Sequence, residues 1–233
     1  MKATIVLVHG AFADGGSWGD VIPLLEKRGF DVVAVQNPLT SYADDVATTR
    51  RVIDAQTNPV ILAGHSYGGA VITGAALDRT NIKALVYVAA FGPDAGEDLG
   101  ALLQQYPSKI GTALGPDAAG FLYIDRTKFA EVFAADVAER QCSIMSASQK
   151  PINSKTFGQS YGEPAWKHLP SWYLISNEDH AINPDLQRMF AKRMGATTRE
   201  VKASHVAFVS QPATVAEIIA EAADAVLPRA AAG

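Results

Sequence analysis

The sequence predicts an α/β fold: a mainly parallel six-stranded sheet flanked by helices, with an insertion between its fourth and fifth strands. Three observations predict it. Short β-branched runs alternate with helical stretches over the first ninety residues. Those runs are almost continuously apolar, as strands buried on both faces of a parallel sheet must be. The alternation stops at Phe91 and resumes after Pro170. Alternating β and α elements with right-handed crossovers place helices on both faces of such a sheet.

The runs "TIVLV" (4–8), "DVVAVQ" (31–36), "PVILAG" (59–64) and "KALVYVAA" (83–90) supply the first four strands. Between them, "GDVIPLLEKRG" reads as a helix stopped by Gly29. "SYADDVATTRRVIDAQ" reads as a helix capped by Ser41, with Val46 and Ile53 sharing a face. "GGAVITGAALDRT" is the third helix. Residues 91–170 hold many Gly and Pro and short helical pieces such as "TKFAEVFAADVAER", but no convincing strand. After Pro170 come strand "SWYLIS" (171–176), helix "PDLQRMFAKRMG" (184–195), strand "TTREVKA" (197–203) and helix "PATVAEIIAEAADAVL" (212–227). The division is therefore a core of 1–90 and 171–233 with 91–170 inserted between the fourth and fifth strands. The tail "RAAAG" is expected to fray.

Bulk properties narrow the function. The 233 residues suffice for one domain with a full core. A formal charge of −4 with scattered Lys and Arg gives no basic footprint for nucleic acid. No apolar run approaches the roughly 18 residues that cross a bilayer. The apolar run in "MKATIVLVHG" is β-branched and shorter than the ~7–15 residues of a secretory h-region; it is read as a strand, and export is not expected. The single Cys142 excludes an internal disulfide and fits a reducing compartment, so the cytoplasm is the expected location.

Three stretches satisfy Gly-x-Ser-x-Gly: "GGSWG" (15–19), "GHSYG" (64–68) and "GQSYG" (158–162). An attacking serine of this type needs a strand directly before it and a helix directly after it. It then sits at a sharp, strained turn at the carboxyl edge of the sheet, with the helix N-terminus behind it. Ser66 alone meets that demand, between "NPVILA" and "GGAVITGAALD". Ser17 lies in a loop several residues past its strand and reads as a turn or N-cap residue. Ser160 is followed by Glu163-Pro164, with neither strand nor helix adjacent.

A serine hydroxyl needs a base, and the base an orienting carboxylate. Of five histidines, His9 and His65 stand at strand ends where they would hold loops, and His168 and His180 read as surface residues. His205 directly follows the last predicted strand, at the edge where ligands bind in open α/β sheets. The order Ser…Asp/Glu…His also places the base last. For the acid, Asp179 follows the fifth strand, with Glu178 one residue away as a fallback and Asp94, after the fourth strand, as a competitor. Two backbone donors are expected for an oxyanion: the N–H of Tyr67, next after the serine, and that of Ala11 in "HGAFADGGSW" after the first strand.

With these residues in place, "LVHGAF…GGSW", "GHSYGG", the Asp after "SWYLIS" and the late "SHV" resemble the α/β-hydrolase superfamily, and within it the branch of plant methylesterases, hydroxynitrile lyases and small bacterial esterases. The resemblance spans nearly the whole chain. It implies Ser66, Asp179 and His205 as a triad, Ala11 and Tyr67 as an oxyanion hole, 91–170 as a helical cap, and no cofactor. The plant lyases carry a Thr after the first motif's His and a Lys after the catalytic His. Gly10 and Val206 stand here instead, so hydrolysis is favoured over cyanohydrin cleavage.

The expected substrate is a small to medium neutral ester cleaved through an acyl-enzyme. Phe12, Phe121, Tyr123 and Trp166 are candidates for lining the pocket, although each is as readily explained by packing. A carbon–carbon or hydroxynitrile lyase on the same triad and a slow-turnover ligand sensor are the alternatives.

Overall fold

The computed structural model describes residues 3–227; the tail "RAAAG" lies outside the described residues. The chain opens with β1 (Thr4–Val8), α1 (Ile22–Lys27), β2 (Asp31–Ala34), α2 (Tyr42–Asp54), β3 (Val60–His65), α3 (Tyr67–Ala75) and β4 (Ile82–Val88). Then follow α4 (Leu99–Gln105), β5 (Leu114–Pro116), β6 (Phe121–Ile124), α5 (Phe129–Phe133), α6 (Glu139–Ser148) and β7 (Ile152–Asn153). The chain returns to the sheet through β8 (Ser171–Ser176), α7 (Pro184–Met194), β9 (Thr197–Val201), α8 (Ala207–Ser210) and α9 (Pro212–Val226).

Six strands form one sheet in the order β2-β1-β3-β4-β8-β9, and every neighbouring pair is parallel. Strands β1, β3 and β8 are buried along their whole length, which is why their sequences are apolar without alternation. The edge strands β2 and β9 are half-buried or exposed and carry charged residues. Helix α3 packs on β1, β3 and β4 with α2 behind it, while α9 packs on β3, β4 and β8 with α1 beside it.

Local signals set the helix ends. Ser41 Oγ accepts the Asp44 N–H at 3.1 Å and caps α2. Asn183 Oδ1 accepts the Asp185 N–H at 2.9 Å and caps α7, whose first residue is Pro184. Gly29 takes φ 90° just past α1, a conformation costly for other residues.

Two expectations fail. The segment between β4 and β8 is not purely helical: β5, β6 and β7 make a three-stranded antiparallel sheet. These strands are two to four residues long, too short to show a period of two. The helical piece expected at 127–140 is broken at Ala134, which takes φ −138° and ψ 45°. The Asp136 carboxylate just beyond accepts the Ser204 N–H at 3.1 Å, a tertiary bond that a continuous helix would forgo.

Candidate active site

The chain leaves β1 toward β2 on one side and returns to β3 on the other, so the sheet's switch of direction falls between β1 and β3. Ligands of open α/β sheets bind beyond the carboxyl ends of strands at such a point. The segment after β1 carries Gly10 and Ala11, and the residue after β3 is Ser66. Both candidate loops thus meet at the switch.

Ser66 joins β3 to α3 directly and takes φ 54° and ψ −126°, a left-handed value that costs a non-glycine residue on the order of 1–3 kcal/mol. Its glycine neighbours are fixed by space. A Cβ on Gly64 would lie 2.6 Å from the Gly68 carbonyl oxygen, and one on Gly68 would lie 2.4 Å from that of Val8. A Cβ on Gly10 would stand 2.6 Å from Ser66 Cβ, so the β1 loop rests directly on the turn. The other two matches have different surroundings. Ser17 exchanges bonds with Asp14 in the capping box of a short 3-10 turn, and Ser160 is exposed in an irregular loop.

The structure brings His205 and Asp179 together. His205 Nδ1 lies 2.7 Å from Asp179 Oδ2, with the two side chains 1% and 0% exposed. The carboxylate is held from four directions. Asp179 Oδ1 accepts the N–H groups of Ala181 and Ile182 at 2.7 and 2.9 Å, and Oδ2 accepts Gln187 Nε2 at 2.7 Å besides the imidazole. With its oxygens accepting from these donors, the carboxylate takes the imidazole proton on Nδ1 as its fourth bond, which leaves Nε2 as an acceptor. Glu178 instead faces Lys202 at the surface, and Asp94 pairs with Lys167 at 2.6 Å. Among the described residues neither bonds to a histidine.

Ser66 and His205 are linked through His65. His65 Nε2 donates to the His205 carbonyl oxygen at 2.9 Å, and the two rings are 4.6 Å apart. Burial holds His65 neutral, far below the ordinary histidine range. Among the described residues no hydrogen bond joins Ser66 Oγ to His205 Nε2; such bonds often tighten only when substrate binds. Tyr67 opens α3, so its N–H has no preceding turn to donate into. The N–H of Ala11, in the β1 loop, likewise has no acceptor among the described residues.

Of the four pocket candidates, among the described residues only Phe12 packs on a ring that itself meets His205. Its ring meets Phe133 edge-on at 6.0 Å, and Phe133 lies 5.0 Å from the His205 ring. Tyr123 is 39% exposed. Trp166 donates to the Pro93 carbonyl oxygen, and the Lys167 and Arg193 cations both lie over its ring. Among the described residues, neither they nor Phe121 make a ring contact with the triad candidates, Phe12 or Phe133.

The sequence reading missed Phe133 and Gln187. Gln187 is fully buried, donates to Asp179 and to the Ile182 carbonyl, and accepts the Ser176 N–H. Its only signal was a polar residue beside Leu186 on the apolar stripe of α7.

Comparison with known proteins agrees with this architecture. A model of the alpha/beta hydrolase family matches residues 5–218. Methylesterase 8 of Arabidopsis thaliana is 25% identical over 81% of this chain and 76% of its own length. A carbendazim hydrolyzing esterase of a Nocardioides species is 32% identical over 70% of this chain and 66% of its own. The crystal structure of a pyrethroid hydrolase from Sphingobium faniae superposes with a TM-score of 0.84 at 24% identity, over 97% of this chain and 98% of that one.

Proposed function

The chain belongs to the alpha/beta hydrolase family and is an enzyme of ester hydrolysis; from that premise we propose that it cleaves small to medium neutral carboxylic esters through a serine-bound acyl intermediate. The observation that carries the reading is the buried His205–Asp179 pair beside the strained Ser66 turn. Ser66 Oγ attacks the ester carbonyl carbon as His205 Nε2 takes its proton. The oxyanion that forms accepts from the Ala11 and Tyr67 N–H groups, which each contribute about 10²–10³ in kcat. Collapse expels the alcohol, protonated by His205, and water then attacks the acyl-serine by the same route.

The surroundings of the triad support an uncharged substrate. Phe133 and the neutral His65 are ring neighbours of His205, and Phe12 packs edge-on against Phe133. Val206 follows His205 and is fully buried, so no ammonium stands there to stabilise a departing anion such as cyanide. We assign the protein to the cytoplasm on its sole cysteine, Cys142, a free buried thiol. Among the described residues no helix is long and apolar enough to cross a membrane.

A panel of nitrophenyl esters of graded acyl length tests the reading. Turnover is expected at short and medium lengths, falling for acyl groups that carry a charge. No turnover at any length removes it.

A further inference from the structure

Helix α2 buries an unexpected row. Asp45, Thr49 and Ile53, each one turn apart, face inward, while Val46 is only half-buried. Asp45 is fully buried, and both its oxygens are used. Oδ2 accepts the Tyr67 hydroxyl at 2.8 Å, and Oδ1 accepts the Leu39 N–H at 2.8 Å. Leu39 takes φ 61°, a strained value for a branched residue. Two residues earlier on the same loop, the Asn37 N–H donates to His9 Nε2 at 3.0 Å, and Asn37 Oδ1 accepts the Thr49 hydroxyl at 3.1 Å. The Lys150 ammonium closes the loop by donating to the Asn37 carbonyl oxygen. His9 Nδ1 donates in turn to the Gly10 carbonyl oxygen at 2.8 Å.

The segment 37–45, the end of a loop and the first turn of α2, is buried at Asn37, Leu39 and Asp45. It is therefore fastened at one end to Tyr67 and at the other to the strand end that leads into Ala11. These are the two residues whose backbone N–H groups face the proposed oxyanion. We propose that Asp45 is a positioning residue for the oxyanion hole: through the Tyr67 hydroxyl and the Leu39–Asn37–His9 chain it holds the two donors at a fixed separation. The inference rests on the reading of Ala11 and Tyr67 as oxyanion donors.

A purely structural role accounts poorly for a carboxylate here. Burial pushes Asp45 up to about 6, against the opposing pull of the Leu39 N–H, the Tyr67 hydroxyl and Lys150, with Asp44 adding to the rise. The ionised form therefore opposes folding at neutral pH, and a neutral side chain would fill the space at less cost. An ionised acceptor gives a shorter and stronger tether to a hydroxyl than a neutral one does. Donors aimed at developing charge work only where they are preorganised, and a displacement near 1 Å at such a site costs about 10²-fold.

The test compares wild type, Tyr67→Phe, Asp45→Asn and the double variant on one nitrophenyl ester, with rates counted per titrated active site. Tyr67→Phe deletes one oxygen and keeps the ring, so the fold is least disturbed in it. The expected result is a fall in kcat of about 10–100-fold in each single variant, with KM within threefold. The double variant should lose no more than the worse single one, because the two residues act as one tether. Affinity for a trifluoromethyl ketone, which forms a bound oxyanion, should fall in parallel. A second readout is stability against pH. An acid whose folded value is raised makes the fold less stable as pH climbs from about 4 to about 6, and that component should vanish in Asp45→Asn. Variants that match the wild-type kcat per site, whatever their melting temperatures, overturn the positioning role alone. A wild type that turns over no ester overturns it together with the reading on which it rests.

Discussion

Ser66→Ala should lower kcat by about 10⁵–10⁶ while leaving KM within a few-fold, because the hydroxyl contributes to the transition state and little to ground-state binding. A residual rate above that of water should persist, since the proposed oxyanion donors of Ala11 and Tyr67 would remain. The serines that share the same local pattern make the comparison sharp. Ser17 holds a 3-10 turn through Asp14, and Ser160 is exposed, so alanine at either should change kcat less than twofold. Steady-state kinetics on the three variants with one ester decide the matter. A Ser66→Ala enzyme of near-normal kcat would remove the nucleophile assignment.

Asp179→Asn should cost about 10⁴ in kcat with the fold retained. The Asp179 carboxylate accepts from Ala181, Ile182, Gln187 and His205. An asparagine offers one oxygen and one NH2 to these four donors. If the oxygen stays with the two backbone N–H groups, the NH2 faces His205 and Gln187. His205 Nδ1 must then accept, its proton moves to Nε2, and Nε2 can no longer take the Ser66 proton. Gln187 is not free to turn in compensation, because its own oxygen accepts the Ser176 N–H and its nitrogen also donates to Ile182. Lost partners for buried donors should also lower stability by about 1–3 kcal/mol, readable in a thermal melt. Asp94→Asn serves as the control. Asp94 is paired with Lys167 and a third exposed, so its loss should leave kcat within twofold. If Asp94→Asn carries the large loss and Asp179→Asn does not, the acid has been misassigned.

The parts of this site that could be read from sequence share one property: a backbone feature announces them. Ser66 is legible because an apolar strand, two glycines and a helix surround it without a linker. His205 and Asp179 are legible because each follows a strand of the central sheet, and ligand sites of such sheets lie there. The edge strand β9 was still recognisable from its place in the alternation, despite its exposed "TTREV".

What stayed hidden depends on tertiary contacts. Gln187 looks like any polar residue of an amphipathic helix until the neighbouring Asp179 is seen. Asp45 sits in the first turn of α2, where an acidic residue is favoured by the helix dipole and calls for no further explanation. In the sequence Phe133 lies inside one continuous helical stretch; the helix instead stops at Phe133, beyond it the Asp136 carboxylate accepts the Ser204 N–H, and Phe133 packs against His205. The strands β5 to β7 escaped notice because a run of two to four residues carries no period.

Catalysis by this site requires one activated hydroxyl. Labelling the intact protein with a fluorophosphonate and mapping the modified peptide measures that directly. The prediction is stoichiometric modification of Ser66 alone, abolished in the Asp179→Asn variant on the same timescale. Modification at Ser17 or Ser160, or no modification of a folded protein, would contradict it.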